Sequence, residues 1–252
     1  MSNYSNLLVN LIPVAKEAGF AIMEIYHKGA THSLKEDGSP VTLADKAAEK
    51  IILSALKEMN TGITIISEEN PESHKLEAPE RFFLVDPLDG TKEFLKKDGK
   101  GAFTVNIALI ENGIPTLGVI YAPALDRMFS GANGFGAFEG SKQIQTRENP
   151  NSNMLAVASQ SHRDKETEQW LADNEIKDTI SIGSSVKFCL VACGEADVYP
   201  RFGPTMEWDT AAGDAILRAA GGMVSNPDGS PFQYGKNDYR NGAFIAKGND
   251  VG

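Results

Sequence analysis

Phe82-Phe83-Leu84-Val85-Asp86-Pro87-Leu88-Asp89-Gly90-Thr91 drives an apolar run straight into two carboxylates spaced three residues apart. The run predicts a buried strand over 82–85. A strand that ends this way carries two hard oxygen donors at its tip. The Gly-Thr step that follows leaves backbone N–H groups facing outward at a helix start, where an anion is welcome. Hard oxygens beside such N–H groups point to divalent-metal chemistry on a phosphate.

The chain around this stretch has 252 residues, 41% of them hydrophobic, enough for a sizeable core in one large domain or two packed halves. No segment approaches the ~18 uninterrupted apolar residues of a membrane span. The start, Met1-Ser2-Asn3-Tyr4, has no basic and then apolar leader, so secretion is not expected. The two cysteines, Cys189 and Cys193, fall on one helical face among apolar neighbours and read as small buried thiols suited to a reducing cytoplasm. A net charge of −10 with no basic patch argues against a nucleic-acid polymer as partner. An acidic protein that handles phosphate needs local cations or metal.

Apolar periodicity predicts helices over 6–26 and 42–59, the first delimited or kinked in its first turn by Pro13 and the second opened by a capping-box-like pair, Thr42 and Asp45. Strands are predicted over 63–66, 82–85, 103–110 and 114–121, with Glu111-Asn112-Gly113 as a hairpin turn between the last two. Short strands at 127–130 and 136–138 extend the same sheet. Residues 140–153 are polar and unpatterned and mark a boundary between an N-terminal half, 1–150, and a C-terminal half, 151–252. The second half reads as strands over 154–158, 196–199 and 244–246 and helices over 165–171, 184–193 and 209–220, the last ended by Gly221-Gly222. Helices mixed with hairpin-linked strands give an α+β layered class.

Acidic residues recur at the ends of these elements: Asp45, Glu68 and Glu69, Asp86 and Asp89, and Asp209. Singly each has an ordinary explanation. Asp45 and Asp209 suit helix starts, Glu68-Glu69 a solvated turn, and Asp86-Pro87-Leu88-Asp89-Gly90 a plain turn. Jointly they fit better as ligands, because carboxylates beside buried strands are costly unless paired or metal-bound. Glu68, Asp86, Asp89 and Asp209, with the Leu88 carbonyl, make a set suited to magnesium.

Four blocks then resemble a known family. Asp86-Pro87-Leu88-Asp89-Gly90-Thr91 and Trp208-Asp209-Thr210-Ala211-Ala212-Gly213 are similar to the two signatures of the lithium-sensitive, inositol monophosphatase-like phosphatases. Val41-Thr42-Leu43-Ala44-Asp45 and Ser67-Glu68-Glu69 match its other blocks, in order, across nearly the whole chain. Lys92-Glu93-Phe94, the stretch Phe103 to Ile110, and the run from Gly183 through Arg201 to Asp209 resemble its CysQ-type branch, the 3′(2′),5′-bisphosphate nucleotidases.

The resemblance implies an αβαβα layered sugar-phosphatase fold and two or three Mg²⁺ ions on Glu68, Asp86, the Leu88 carbonyl, Asp89 and Asp209. It implies Asp45 and Thr91 as the pair that activates water, and Gly90 and Thr91 as the cradle of the scissile phosphate. It implies His162, Ser184, Lys187 and Arg201 as candidates for the second phosphate and the nucleoside. The matching position for the phosphate-contacting serine is Ser184 or Ser185. The implied reaction removes the 3′-phosphate of adenosine 3′,5′-bisphosphate, with 3′-phosphoadenylyl sulfate as a further substrate, in sulfur metabolism. The implied setting is the cytoplasm, with peripheral attachment to the inner membrane face left open, as a monomer or homodimer.

No cysteine and no Ser-His-acid series accompanies the signatures, so a metal-activated water rather than a covalent nucleophile is expected. The rival on the same scaffold is an inositol or sugar monophosphatase, which has no use for a second anion subsite at Lys187 and Arg201. The rival from another class is a non-catalytic metal or nucleotide sensor. By themselves His162 and Lys187 read equally as structural or surface residues.

Overall fold

The computed structural model describes residues 3–29, 32–34, 40–96, 101–147, 153–159 and 164–248. The first half runs α1 (Asn3–Lys28), β1 (His32–Leu34), β2 (Pro40–Thr42), α2 (Leu43–Glu58), β3 (Thr64–Ser67), α3 (Pro71–His74), β4 (Arg81–Asp89), α4 (Thr91–Lys96), β5 (Thr104–Glu111), β6 (Ile114–Ala122), β7 (Arg127–Ala132), β8 (Gly136–Glu139) and β9 (Lys142–Ile144). The second runs β10 (Leu155–Ser159), α5 (Lys165–Asp173), β11 (Asp178–Ile182), α6 (Val186–Ala192), β12 (Val198–Arg201), β13 (Thr205–Met206), α7 (Glu207–Ala219), β14 (Met223–Ser225), β15 (Arg240–Asn241) and β16 (Phe244–Lys247).

Among the described residues, β3 to β9 form a seven-stranded sheet in chain order, antiparallel except for the β3–β4 pair. A five-stranded sheet has the order β11-β10-β12-β16-β14. Helices α1 and α2 cover one face of the larger sheet, α6 and α7 lie between the two sheets, and α5 covers the outer face of the smaller one. The expected α+β, αβαβα layering is borne out.

The larger sheet is covered on both faces, so its strands are apolar at nearly every position rather than alternating. Phe83 and Val85 of β4 join the core under α1 and α2, whereas Phe82 and Leu84 join the core under α6 and α7. The inner stripe of α1, Leu8, Leu11, Ala15, Ala18 and Ile22, is at most 2% exposed. Burial of a leucine or isoleucine there contributes about 1.5–3 kcal/mol. The α6/α7-side core is continuous from Ile66 to Ala246 and so crosses the expected boundary between halves.

The small residues of the second signature have a packing role. A Cβ on Gly118 of β6 would meet the Ala212 carbonyl oxygen at 2.3 Å, and one on Gly213 would meet the Phe188 ring at 2.5 Å. Ala211, Ala212 and Gly213 therefore let α7 sit directly on β6 and α6, which fixes where Asp209 points.

Several expectations need correction. The strand predicted to end at Val85 continues through Pro87 to Asp89, so both carboxylates lie within β4. The β4–β5 register breaks between Asp86 and Asp89, which accommodates the proline. Helix α1 runs uninterrupted through Pro13. The polar stretch 140–153 contains β9, an edge strand. The helix expected over 184–193 is Val186–Ala192, and Ser184 has a left-handed φ of +52° instead. Strand β11 and the short pairs β1–β2 and β13–β15 went unpredicted because each spans two to five residues with little period of its own.

Candidate active site

The N-terminus of α2 is closed by the expected box: Thr42 N and Thr42 Oγ1 each donate to Asp45 Oδ2 at 2.7 Å. This buried carboxylate also faces the end of β4. Thr91 Oγ1 lies 3.3 Å from Asp45 Oδ1 and 3.2 Å from the Leu88 carbonyl oxygen. Burial raises the pKa of Asp45, and the two bonds from Thr42 offset part of that rise. The turn between Asp89 and Thr91 depends on Gly90, whose φ is +91° and whose absent Cβ would lie 2.9 Å from the Ala102 carbonyl oxygen.

At the tip of β4, Leu88 N donates to Asp86 Oδ1 at 3.0 Å. Ser185 N, from the turn before α6, donates to Asp89 Oδ2 at 2.6 Å. Asp209 is the third residue of α7 and accepts from Met206 N at 2.8 Å. Burial pushes the Asp86 carboxyl well above its usual range, and the charges of Glu68, Asp89 and Asp209 push it further. Asp209 is raised likewise, by burial and then by Asp89 and Glu68. Asp89 rises to about 6 through burial, with the Lys187 ammonium pulling it down. Asp86 and Asp89 of β4, Asp209 of α7 and Glu68 on the turn after β3 thus crowd together, and burial with this crowding hinders ionisation of the three aspartates. That donor chemistry, hard, anionic and crowded, fits a divalent cation.

Glu68, Asp89, Gly90, Thr91, Ser184, Lys187, Arg201 and Asp209 line one pocket of about 490 Å³. Asp86, Leu88 and Asp45 are buried beside it. Opposite the carboxylates, Lys187 Nζ donates to the Ser184 carbonyl at 2.6 Å and lies 5.2 Å from the centre of the Tyr199 ring. Burial lowers the Lys187 pKa to about 8, although Asp89 opposes the shift. Arg201 is 8% exposed and is held by Nε on the Gly203 carbonyl at 3.1 Å and by a terminal nitrogen on the Pro204 carbonyl at 3.3 Å. Asp164 Oδ2 accepts from Gly203 N at 3.0 Å and so ties down the loop that holds the guanidinium. His162 lies outside the described residues.

The pocket wall also contains Glu93, Gly183, Tyr199 and Thr210, none of which the sequence marked as a site residue. All four lie in family-like stretches, Glu93 in Lys92-Glu93-Phe94, Gly183 and Tyr199 in the run from Gly183 to Asp209, and Thr210 in the second signature, but nothing in their own residue types marks them as pocket residues.

Among the described residues, the acidic group whose ligand atoms already lie within 4.8 Å of one another is a different one: Glu139, Cys193 and Glu195. Arg127 fills it, with Nε 2.6 Å from Glu139 and a terminal nitrogen 2.6 Å from Glu195. Burial also holds the Cys193 thiol protonated, its pKa pushed up to about 11. This is an ion-pair cluster at the C-terminal end of α6, whose N-terminal end borders the pocket. Cys189 is buried as expected, Cys193 is only partly buried, and neither is linked.

The profile of the inositol monophosphatase family matches residues 3–250. The chain belongs to that family. The 3′(2′),5′-bisphosphate nucleotidase CysQ of Salmonella typhimurium is 48% identical over 235 residues, 90% of this chain and 94% of that protein. CysQ of Escherichia coli K12 is 46% identical over the same shares. The crystal structure of CysQ from Bacteroides thetaiotaomicron, a bacterial member of the same family, superposes with a TM-score of 0.83 at 38% identity and covers 98% of each chain. An inositol monophosphatase from Anabaena superposes with a TM-score of 0.78 at 28% identity, over 98% of this chain and 92% of that one. The expected membership and fold are borne out, and the likeness to the CysQ-type branch is the stronger. No helix among the described residues is long and apolar enough to cross a membrane.

Proposed function

We propose that this chain is a 3′(2′),5′-bisphosphate nucleotidase that converts adenosine 3′,5′-bisphosphate to AMP and phosphate, with 3′-phosphoadenylyl sulfate as a second substrate. The observation that carries this reading is one pocket with an acidic floor at Glu68, Asp89 and Asp209 and two buried cations, Lys187 and Arg201, in its wall. A substrate with two anionic groups uses both. The CysQ relatives, 46–48% identical, carry the same activity in their names.

In this reading Glu68, Asp86, the Leu88 carbonyl, Asp89 and Asp209 hold two or three Mg²⁺ ions. When bound, such cations withdraw charge from phosphate oxygens and lower the pKa of adjacent water. Thr91 Oγ1 accepts a hydrogen bond from the attacking water and directs its own proton to Asp45, which Thr42 orients. The Gly90 and Thr91 amides hold the scissile phosphate. Lys187 and Arg201 hold the other phosphate, the arginine as a planar fork, and Ser184 borders the nucleoside. His162 belongs to the same binding group by family likeness.

We take residues 1–150 as the half that supplies most metal ligands and 151–252 as the half that supplies Asp209 and substrate recognition. We take the chain to act as a monomer or a homodimer. The two unlinked thiols suit a reducing cytoplasm. Phosphate release from adenosine 3′,5′-bisphosphate, 3′-phosphoadenylyl sulfate and inositol 1-phosphate, with and without Mg²⁺, tests the assignment. Preference for inositol 1-phosphate would replace it with the monophosphatase reading.

A further inference from the structure

Behind Asp89 lies a buried polar chain centred on Ser185, a residue of the pocket wall and the alternative to Ser184 as the phosphate-contacting serine. Thr104, Asn106 and Ser185 are each at most 2% exposed. Ser185 Oγ lies 2.7 Å from Asn106 Oδ1 and 2.8 Å from Thr104 Oγ1. An amide oxygen only accepts, so Ser185 gives its single hydroxyl proton to Asn106 and accepts from Thr104. The main-chain N–H of Ser185 is the one that meets Asp89 Oδ2 at 2.6 Å. The orientation of Asp89 is therefore set from strand β5, through a side chain on the turn before α6.

Register places this chain against both carboxylates of the first signature. Asn106 is the cross-strand partner of Asp86, and Thr104 that of Asp89. Directly opposed residues share a face of the sheet. That face is the one under α6 and α7, where Asp209 enters. Asn106 Nδ2 has no hydrogen-bond partner. An unmatched buried donor is destabilising, and Ala108 and Ile110, which follow Asn106 on that same face of the strand, are apolar. A residue kept only for packing would be apolar as well.

We infer that Asn106 is a positioning residue for the cation site: it fixes Asp89 through Ser185 from the position opposite Asp86 in the sheet. The inference rests on the metal-holding role proposed above. It predicts that the network governs cation affinity rather than nucleotide affinity, as partners of ligating carboxylates do.

The test is calorimetric titration of the nucleotide-free protein with Mg²⁺ alone, for wild type, Asn106→Leu, Ser185→Ala and the double variant. Each single variant should bind Mg²⁺ about 10–100-fold more weakly. The double variant should be no worse than the weaker single, because the two residues act as one unit. Activity should recover as Mg²⁺ is raised, with KM for adenosine 3′,5′-bisphosphate unchanged; a loss of fold alone would not be rescued this way. Ser185→Ala, which removes one hydroxyl, carries the same test if Asn106→Leu fails to fold. Wild-type Mg²⁺ affinity in the single variants, or losses that add fully in the double variant, would overturn the inference alone. Absence of Mg²⁺ binding by the wild type would overturn the metal reading and the inference with it.

Discussion

Thr91 Oγ1 stands 3.3 Å from Asp45 Oδ1, although 46 residues separate them. The contact joins the first turn of α4 to the first turn of α2, and the second Asp45 oxygen is fully engaged by Thr42. The one hydroxyl proton of Thr91 has Asp45 Oδ1 and the Leu88 carbonyl oxygen as acceptors, and of the two only the carboxylate can take up a proton. Asp45→Asn keeps the shape and an acceptor for Thr42 but loses the proton sink. Turnover should fall about 10²–10⁴-fold, the range for a lost acid–base group. Mg²⁺ binding measured by calorimetry should stay near wild type. Retained activity would remove Asp45 from the proton path.

Arg201 separates a bisphosphate enzyme from a monophosphatase. Its guanidinium is preset by two backbone carbonyls and needs no ordering on binding. Arg201→Ala should cost about 1.5–3 kcal/mol toward the bisphosphate, the value of a charged hydrogen-bonded contact, hence roughly a 10–100-fold rise in KM. KM for a simple phosphate monoester should barely move. Equal rises for both substrates would favour the monophosphatase reading.

The two signatures were legible because their residue types are chemically constrained. Asp86, Asp89 and Asp209 are carboxylates among apolar neighbours, and only metal or pairing reconciles the two. The Thr42–Asp45 box was readable as a local pattern of four residues, though its contact with Thr91 was not. Strand β4 was read four residues too short at its C-terminal end because Pro87 and two aspartates signal a turn, and the register break that lets them remain in the sheet is a tertiary feature. Ser185 was legible only as the alternative to Ser184 for a phosphate contact, and Asn106 not at all, since a serine before a helix and an asparagine in a strand become partners only when α6 lands on β5. The face of α7 was visible as helix periodicity, but the reason for Ala212 and Gly213 lies in Gly118 and Phe188, far away in the chain.

The Lys187 ammonium gives a pH signature. Burial lowers its pKa from 10.5 to about 8, so it is charged at pH 7 and loses its proton above pH 8. For binding, kcat/KM for the bisphosphate should fall above pH 8, approaching tenfold per unit, and Lys187→Met should lack that limb. For folding the sign is opposite. A lysine with a depressed pKa disfavours the folded state below pH 8, and that penalty is withdrawn as pH rises from 8 toward 10.5. A wild-type profile flat through pH 9, or a Lys187→Met profile that keeps the limb, would contradict the assignment.

Gly90 is needed for its backbone. At φ +91°, an alanine would be strained and its Cβ would press on the Ala102 carbonyl at 2.9 Å. Gly90→Ala should lose about 1–3 kcal/mol of stability and most of its activity, because the turn orients both Asp89 and Thr91. Chemical denaturation and phosphate release measure the two effects. A variant of normal stability and activity would show that the turn is not constrained.

Asp86, Asp89 and Asp209 all have raised pKa values from burial and mutual repulsion, so their ionised forms oppose folding near neutral pH until a cation joins them. A cation that binds only the folded state stabilises it by about 2.7 kcal/mol at a hundred times its dissociation constant. For a chain of this size that is a rise in Tm of roughly 5–11 °C, at 2–4 °C per kcal/mol. Chelation should therefore abolish activity and lower Tm together, and millimolar Mg²⁺ should restore both. Lithium, which carries half the charge, should displace Mg²⁺ and inhibit without giving the full thermal shift. NaCl at matched ionic strength should do neither. If NaCl reproduced the Mg²⁺ shift, the carboxylates would be responding to screening rather than to a bound ion.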